Sequence, residues 1–321
     1  GGSGSFGQAY VSWILSKYNP KKIIIFSRDE MKQWEMAKIF HSDETVRFFI
    51  GDVRERERVY RAFDGVDLVV HAAATKIVPT AEYNPFECIK TNIIGAMNVI
   101  DAAIDRGVEK VVALSTDKAS SPVNLYGASK LASDKLFVAS NSYSAAKTKF
   151  AVVRYGNVMG SRGSVIPLFL SLSGKGEIPI TDFRMTRFMI TLEQGIDLVE
   201  TAFQDMNGGE IYVKKIPSMK IVDIANALAP NDAQCEIGIR PGEKIHEQMI
   251  GEEDAQHTYE YEHYYKIIPQ TITHPEKALF ASGGTRVPDG FVYSSNNNND
   301  WMSKKDLINF VEKNKDKFLK I

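Results

Sequence analysis

The chain has 321 residues, 44% of them hydrophobic, and its 39 basic and 40 acidic side chains leave a formal charge of −1. That length allows a large core in one or two domains, while the even charge argues against a general nucleic-acid or membrane-surface binder, which needs a basic excess. No apolar run reaches the ~20 residues of a membrane span, and two cysteines, Cys88 and Cys235, give neither a disulfide framework nor metal-ligand spacing, so a reducing, cytoplasmic setting and no metal are expected.

The chain opens on Gly1-Gly2-Ser3-Gly4-Ser5-Phe6-Gly7, which holds Gly2-x-Gly4-x-x-Gly7 and the looser spacing Gly1, Gly4, Gly7. Glycines there let the backbone turn tightly and approach a pyrophosphate resting on the next helix N-terminus. Alone, such a string also suits a linker. The helical pattern directly after it, over 5–17, and an apolar run at 22–27 place it in a dinucleotide-binding context. The strand expected before Gly1 is missing from the sequence. Strands at 22–27 and 67–71 are therefore expected to flank a gap, at some cost in stability.

The run at 22–27 ends in Ser27-Arg28-Asp29-Glu30, with Lys32 close by. A hydroxyl and two cations at a strand end suit a ribose 2′-phosphate and favour NADP. Asp29 either caps the next helix or faces the ribose, which would favour NAD. Further buried strands read at 46–50, 67–71, 110–115 and 149–154, separated by helical patterns at 29–41, 54–63, 85–106 and 124–141. Continuous Val/Ile runs alternating with helices mean a parallel sheet covered on both faces, the doubly wound α/β (Rossmann) architecture. Asp52 and Val53 follow one strand, where a carboxylate meets adenine. Ala72, Ala73 and Ala74 follow the next, and their small side chains leave room for the dinucleotide. His71 reads as a packed strand residue. The expected division is a dinucleotide-binding domain over 1–158, with a return crossing near 190–213. A smaller α/β substrate domain over 159–321 follows, punctuated by Pro167, Pro179, Pro217, Pro230 and Pro241.

The segment 114–130 carries the chemistry. Tyr126 and Lys130 are spaced i, i+4, so a helix presents both on one face. A free phenol has a pKa of about 10; a neighbouring ammonium and a positively charged nicotinamide are expected to lower it, so that Tyr126 takes a proton from a substrate hydroxyl as hydride leaves the same carbon. Ten residues before Tyr126, Thr116-Asp117-Lys118 stands where a strand should end. Once a sugar hydroxyl becomes a ketone, the adjacent C–H is acidified. A base and an acid side by side can then eliminate water, provided that the Asp117 pKa is raised and the Lys118 pKa lowered. The plainer reading is an exposed ion pair in a loop.

These motifs resemble the extended short-chain dehydrogenase/reductase superfamily and, within it, the inverting UDP-N-acetylglucosamine 4,6-dehydratase family. The resemblance rests on the segments 1–7, 27–30, 48–54, 81–85 and 114–119, on Arg-Tyr-Gly-Asn-Val at 154–158, Gly-Ser-Arg-Gly-Ser-Val at 160–165 and Arg-Met-Thr-Arg-Phe at 184–188, and on Ile-Pro-Ser-Met-Lys at 216–220 and Ile-Arg-Pro-Gly-Glu-Lys at 239–244. It implies an NADP-dependent lyase acting on UDP-N-acetylglucosamine with inversion at C5, at the start of pseudaminic acid synthesis for flagellin glycosylation, and a homo-oligomer, a hexamer among the forms. Tyr126 and Lys130 would assist oxidation at C4, Lys118 would remove the C5 proton, Asp117 would protonate the departing C6 hydroxyl, and Thr116 would hold the sugar. The matched motifs add Lys76 and Val158 to the cofactor set of Gly1, Ser3, Gly4, Ser5, Phe6, Gly7, Ser27, Arg28, Lys32, Asp52, Val53 and the three alanines. They give Lys76, Thr116, Asn157, Ser164, Val165, Arg184, Met185, Arg187, Arg240 and Glu243 as the substrate set, with the arginines on the diphosphate. The chain departs from the family at Ala74-Thr75-Lys76-Ile77-Val78-Pro79, where Ala-Leu-Lys-His-Val-Pro is usual. The competing readings are a UDP-sugar 4-epimerase or a dehydratase that also epimerises, in capsule or O-antigen synthesis, and a non-catalytic dinucleotide sensor. A sensor need not keep Tyr126 and Lys130.

Overall fold

The computed structural model describes residues 1–41, 43–143, 147–161, 163–272 and 274–315. From the N-terminus, α1 (Ser5–Lys17), β1 (Ile23–Ser27), α2 (Glu30–Ile39), β2 (Val46–Ile50), α3 (Arg56–Ala62) and β3 (Leu68–His71) alternate as the apolar runs foretell. Next come α4 (Val78–Tyr83), α5 (Pro85–Ile89), a π-helical turn over Lys90–Ile94 and α6 (Gly95–Arg106), which stops at Gly107 in the left-handed conformation, φ 69°. Then follow β4 (Lys110–Thr116), α7 (Leu125–Ala139) and β5 (Lys149–Tyr155).

Strands β3, β4 and β5 pair in parallel in the order β3-β4-β5. The middles of β4 and β5, Val111-Val112-Ala113 and Phe150-Ala151-Val152-Val153, are apolar and buried, as burial on both faces requires. The sheet is doubly wound. After β6 (Asn157–Val158), α8 (Val165–Leu172), β7 (Glu177–Ile180) and β8 (Thr186–Ile190), helix α9 (Leu192–Asp205) carries the chain back, and β9 (Ile211–Lys214) pairs parallel with β5. Strands β1 and β2 pair with each other and stay apart from this sheet. The Gly1–Gly4 turn sits between the carboxyl ends of β1 and β3: Gly2 N–H bonds the Phe26 carbonyl at 3.2 Å, and a side chain on Gly1 would strike the Ala72 carbonyl.

The remainder is shorter and mixed. It runs through β10 (Ser218–Lys220), α10 (Ile221–Leu228), β11 (Ala233–Glu236), β12 (Gln248–Ile250), β13 (Thr258–Glu260), β14 (Tyr264–Ile267), α11 (His274–Phe280), β15 (Thr285–Arg286), β16 (Tyr293–Ser294) and α12 (Lys304–Lys313). Strands β14, β13 and β15 extend the main sheet antiparallel beyond β9. A second apolar cluster, with Ile166, Phe169, Ile178, Met189, Ile224 and Leu307, forms between α8, α10 and α12. Strand β12 packs on the chain just after β4, which brings this second part of the chain onto the end of that strand.

Candidate active site

Thr116 closes β4, and its Oγ1 accepts the Lys118 N–H at 3.3 Å, capping a single 3-10 turn over Asp117–Ala119. Asp117 Oδ1 accepts from Thr116 Oγ1 at 2.9 Å and from Lys118 Nζ at 3.1 Å. The chain then passes Ser121, left-handed at φ 44°, and Asn124, whose Oδ1 caps α7 by accepting from Gly127 N at 2.7 Å. A side chain on Gly127 would strike the Lys118 carbonyl, so glycine lets α7 lie against the turn. Tyr126 and Lys130 therefore share the buried face of α7 beside Asp117. The structure brings Thr116, Asp117, Lys118 and Tyr126 together and buries Lys130 one turn further along α7.

Their electrostatics differ from expectation in two places. Burial raises the Asp117 carboxyl, with Glu247 adding to the rise and Lys118 opposing it; that direction agrees with a proton donor. For Lys118, burial lowers the pKa, but Asp117 and Glu247 outweigh it and hold the ammonium above the ordinary lysine range. The lowered pKa expected of Lys118 is thus corrected: two carboxylates, not one, face the amine. Burial also pushes the Tyr126 phenol up to about 12 against the pull of Lys118 and a hydrogen bond with Thr116. The lowering expected of Tyr126 does not hold in the protein alone, because desolvation of the phenolate exceeds the attraction of the cations. Lys130 is itself lowered by burial, with Asp134 opposing.

On the cofactor side, α1 begins after Gly4 with no side-chain cap, leaving its first amides free of side-chain partners. A side chain on Gly7 would strike the Gly2 carbonyl, so helix and turn are as close as glycine allows. These features fit a dinucleotide pyrophosphate. Ser5 is exposed and Phe6 stacks on Tyr10 with centroids 5.8 Å apart. Ser3 and Ser27 share a hydrogen bond of 2.7 Å between their hydroxyls. Asp29 accepts the Lys32 N–H at 3.0 Å and lies 2.7 Å from Lys32 Nζ, so it caps α2. Arg28 is exposed and 3.5 Å from Asp52, which Arg54 holds at 2.7 Å. Val53 packs beneath Gly95, while Ala72, Ala73, Ala74 and Lys76 lead out from β3, and Val158 sits in β6. His71 is buried, with its ring 5.6 Å from that of Phe137.

The substrate candidates divide. Arg184 is exposed and paired through two nitrogens with Asp182, at 3.0 and 2.6 Å, and Arg240 is exposed near Glu243. Asn157 Oδ1, Ser164 Oγ and Glu243 Oε2 are buried and without a hydrogen bond among the described residues, as groups that await a polar ligand would be. Val165 starts α8, and Met185 lies in the second apolar cluster. Arg162, within the 160–165 motif, lies outside the described residues. Arg187 turns inward: its guanidinium donates to the carbonyls of Thr186, Ile245 and Lys244 at 2.7, 2.9 and 3.0 Å. The diphosphate contact read for Arg187 is therefore replaced by a backbone clamp, because the 244–245 segment folds over its fork of donors.

Three buried groups escape a sequence reading. Glu247 lies 3.1 Å from Lys118 Nζ, the same amine that donates to Asp117 Oδ1. Asp134 accepts from Ser115 Oγ at 2.7 Å and pairs with Arg154 at 3.3 Å, tying α7 to β4 and β5. Asn92, in the π-helical turn, bonds both the N–H and the carbonyl of Thr75, at 2.8 and 3.0 Å. Its i+4 spacing from Cys88 was readable; its partners were not. Among the described residues no group of three His, Cys, Asp or Glu is arranged to hold a metal, and no helix is long and apolar enough to cross a membrane.

Comparison with known proteins agrees with this geometry. The family described as polysaccharide biosynthesis protein matches residues 1–269. A Campylobacter jejuni protein named UDP-N-acetylglucosamine 4,6-dehydratase (inverting) is 56% identical over 319 residues, 97% of this chain and 95% of that one. A Rickettsia akari protein named UDP-glucose 4-epimerase is 45% identical over 277 residues, 83% of this chain and 81% of its own. Among solved structures, Pen from Bacillus thuringiensis superposes with a TM-score of 0.89 at 36% identity, covering 98% of this chain and 96% of that one. DesIV, a dTDP-glucose 4,6-dehydratase from Streptomyces venezuelae solved with NAD and TYD bound, shares the fold at a TM-score of 0.67 and 23% identity, covering 76% and 85%.

Proposed function

The chain belongs to the polysaccharide biosynthesis protein family, and from that membership we propose that it is a hydro-lyase that removes water from UDP-N-acetylglucosamine across C5 and C6, with inversion at C5 and NADP as cofactor. The observation that carries the reading is the Asp117–Lys118 contact of 3.1 Å beside Tyr126, within a chain 56% identical to a protein of that name.

The residues divide the work as follows. Gly1, Ser3, Gly4, Ser5, Phe6 and Gly7 hold the pyrophosphate at the start of α1; Ser27, Arg28 and Lys32 meet the 2′-phosphate; Asp52 and Val53 meet the adenine; Ala72–Ala74, Lys76 and Val158 line the rest. Asp29 is spent on its helix cap, which favours NADP over NAD. When bound, NADP takes the hydride lost from C4 and gives it back at C6. Tyr126, supported by Lys130, takes the C4 hydroxyl proton while Thr116 holds the sugar. One proton transfer along the Lys118–Asp117 hydrogen bond turns an ammonium and a carboxylate into an amine and a carboxylic acid. The amine then takes the C5 proton. The electrons of that C–H bond form the C5–C6 double bond, the C6–O bond breaks, and Asp117 protonates the leaving oxygen as water. The pair ends in the ion-paired state in which it began; as hydride returns to C6, C5 takes a solvent-derived proton on its opposite face, and the C4 hydroxyl proton held by Tyr126 passes back to solvent.

Asn157, at the end of a cofactor lobe over 1–158 with its return crossing, joins Ser164, Val165, Met185, Glu243, Arg184 and Arg240 of a lobe over 159–321 to form the nucleotide-sugar side. Exposed apolar side chains at Ile77, Tyr83, Phe86, Ile94 and Met97 support a homo-oligomer. Such a product would stand at the start of pseudaminic acid synthesis, in the cytoplasm. The experiment is incubation with UDP-N-acetylglucosamine and either NADP or NAD, followed by mass spectrometry. A product lighter by one water, formed faster with NADP, is expected. The relatives named as epimerases supply the second reading, and an isomer of unchanged mass would establish it instead.

A further inference from the structure

We propose that Glu247 is a positioning residue for the elimination: its carboxylate grips Lys118 together with Asp117 and keeps one proton within the Asp117–Lys118 pair. The inference rests on the dehydratase reading and adds a residue to it. Glu247 is 2% exposed, and Lys118 Nζ lies 3.1 Å from Glu247 Oε1 and 3.1 Å from Asp117 Oδ1, so the amine is held between two carboxylates supplied by different lobes. The lobe that brings Glu247 is fastened in place. Glu247 N–H bonds Ser295 Oγ at 2.9 Å, Lys244 Nζ donates to the Ser120 carbonyl at 2.7 Å, and Asn124 Nδ2 donates to the Gly242 carbonyl at 2.6 Å. Arg187 Nε stands 3.8 Å from Glu247 Oε1. The charged and titratable groups around the trio are thus Arg187 and Lys244 from the second lobe and Tyr126 from α7.

A second buried carboxylate does what the elimination needs at both partners. It disfavours loss of the Asp117 proton by like-charge repulsion and favours the ammonium that Lys118 becomes on taking the C5 proton. Without it, the pair would surrender its shared proton to solvent at a lower pH and the acid would be lost. Asp117 Oδ2 and Glu247 Oε2 are both buried with no hydrogen bond among the described residues, so each carboxylate still has an oxygen to give to a ligand or a proton.

The test compares wild type with Glu247→Gln and Glu247→Asp. Lysine labelled with carbon-13 at Cε reports the Lys118 titration by NMR, the resonance being assigned by its disappearance in Lys118→Arg. In the same proteins the pH profile of water loss is measured, with melting temperature and NADP binding as checks on folding. Glu247→Gln is expected to lower the Lys118 titration by roughly one pH unit or more, to move both limbs of the pH profile to lower pH, and to reduce kcat by roughly tenfold or more with little change in KM. Glu247→Asp should recover part of each. A folded Glu247→Gln whose Lys118 titration or pH limbs stay at the wild-type positions overturns the proposal, even if kcat falls. A wild type that removes no water overturns the dehydratase reading and this role with it, and is told apart from the first failure by the wild-type arm alone.

Discussion

At the scale of single residues, the chemistry turns on how burial and charge compete. Asp117, Lys118 and Tyr126 are all withdrawn from water, and what differs is the number of opposite charges each meets. Lys118 meets two, so it rests as an ammonium and gains its basic form only through proton transfer to Asp117. Lys118→Ala should therefore abolish water loss while leaving dinucleotide binding at its wild-type affinity, since the polar partners of Lys118 are Thr116, Asp117 and Glu247; titrating cofactor fluorescence beside a turnover assay checks both. His71 is the opposite case. Burial, aided by the charge of Lys130, pushes it down to about 3 from 6.5, so it is neutral in the fold. Between those values the unfolded chain binds a proton that the folded chain refuses, so the His71 contribution is present above pH 6.5 and is lost as pH falls toward 3. Melting temperatures from about pH 7 to about pH 5 should fall less steeply in His71→Leu than in wild type. The sequence displayed Asp117–Lys118 and Tyr126–Lys130 because their spacing is local. Glu247 stayed hidden because 129 residues separate it from Lys118, and only the packing of β12 on the 3-10 turn joins them.

At the scale of elements, the alternation of buried runs with helical patterns was legible to within a few residues from α1 through β5, because each strand is a short apolar block between polar turns; the short helix α4 (Val78–Tyr83) is the element it left out. One long helix was expected over 85–106. The structure keeps its course but widens it into a π-helical turn at Lys90–Ile94. No hydrophobic period signals that widening. Its effect is to seat Asn92 against the backbone of Thr75 and, at 2.9 Å, the Ser129 hydroxyl on α7. The segment leaving β3 is thereby locked beside the catalytic helix. Asn92→Ala strands an N–H and a carbonyl in a partly buried place and should cost about 1–3 kcal/mol, measured by urea unfolding. A loss well below that range would mean that water replaces the amide.

At the scale of the whole molecule, the site exists only where the two lobes meet. The parallel sheet delivers Thr116, Asp117 and Lys118 at the end of β4, and α7 delivers Tyr126 and Lys130. The second lobe closes the site with Glu247, Arg187 and the 240–244 segment. Its irregular strands gave the sequence little periodicity to read, and the inward turn of Arg187 follows from tertiary packing alone. The proposed mechanism carries a stereochemical prediction: the Asp117–Lys118 pair would remove the C5 proton, and C5 would be reprotonated from the opposite face. The most direct measurement is turnover of UDP-N-acetylglucosamine in heavy water, with NMR of the product. The account predicts a 4-keto-6-deoxy sugar carrying one deuterium at C5 in the inverted configuration. Deuterium at C5 with the configuration retained, or a product that keeps its C6 oxygen, would contradict it.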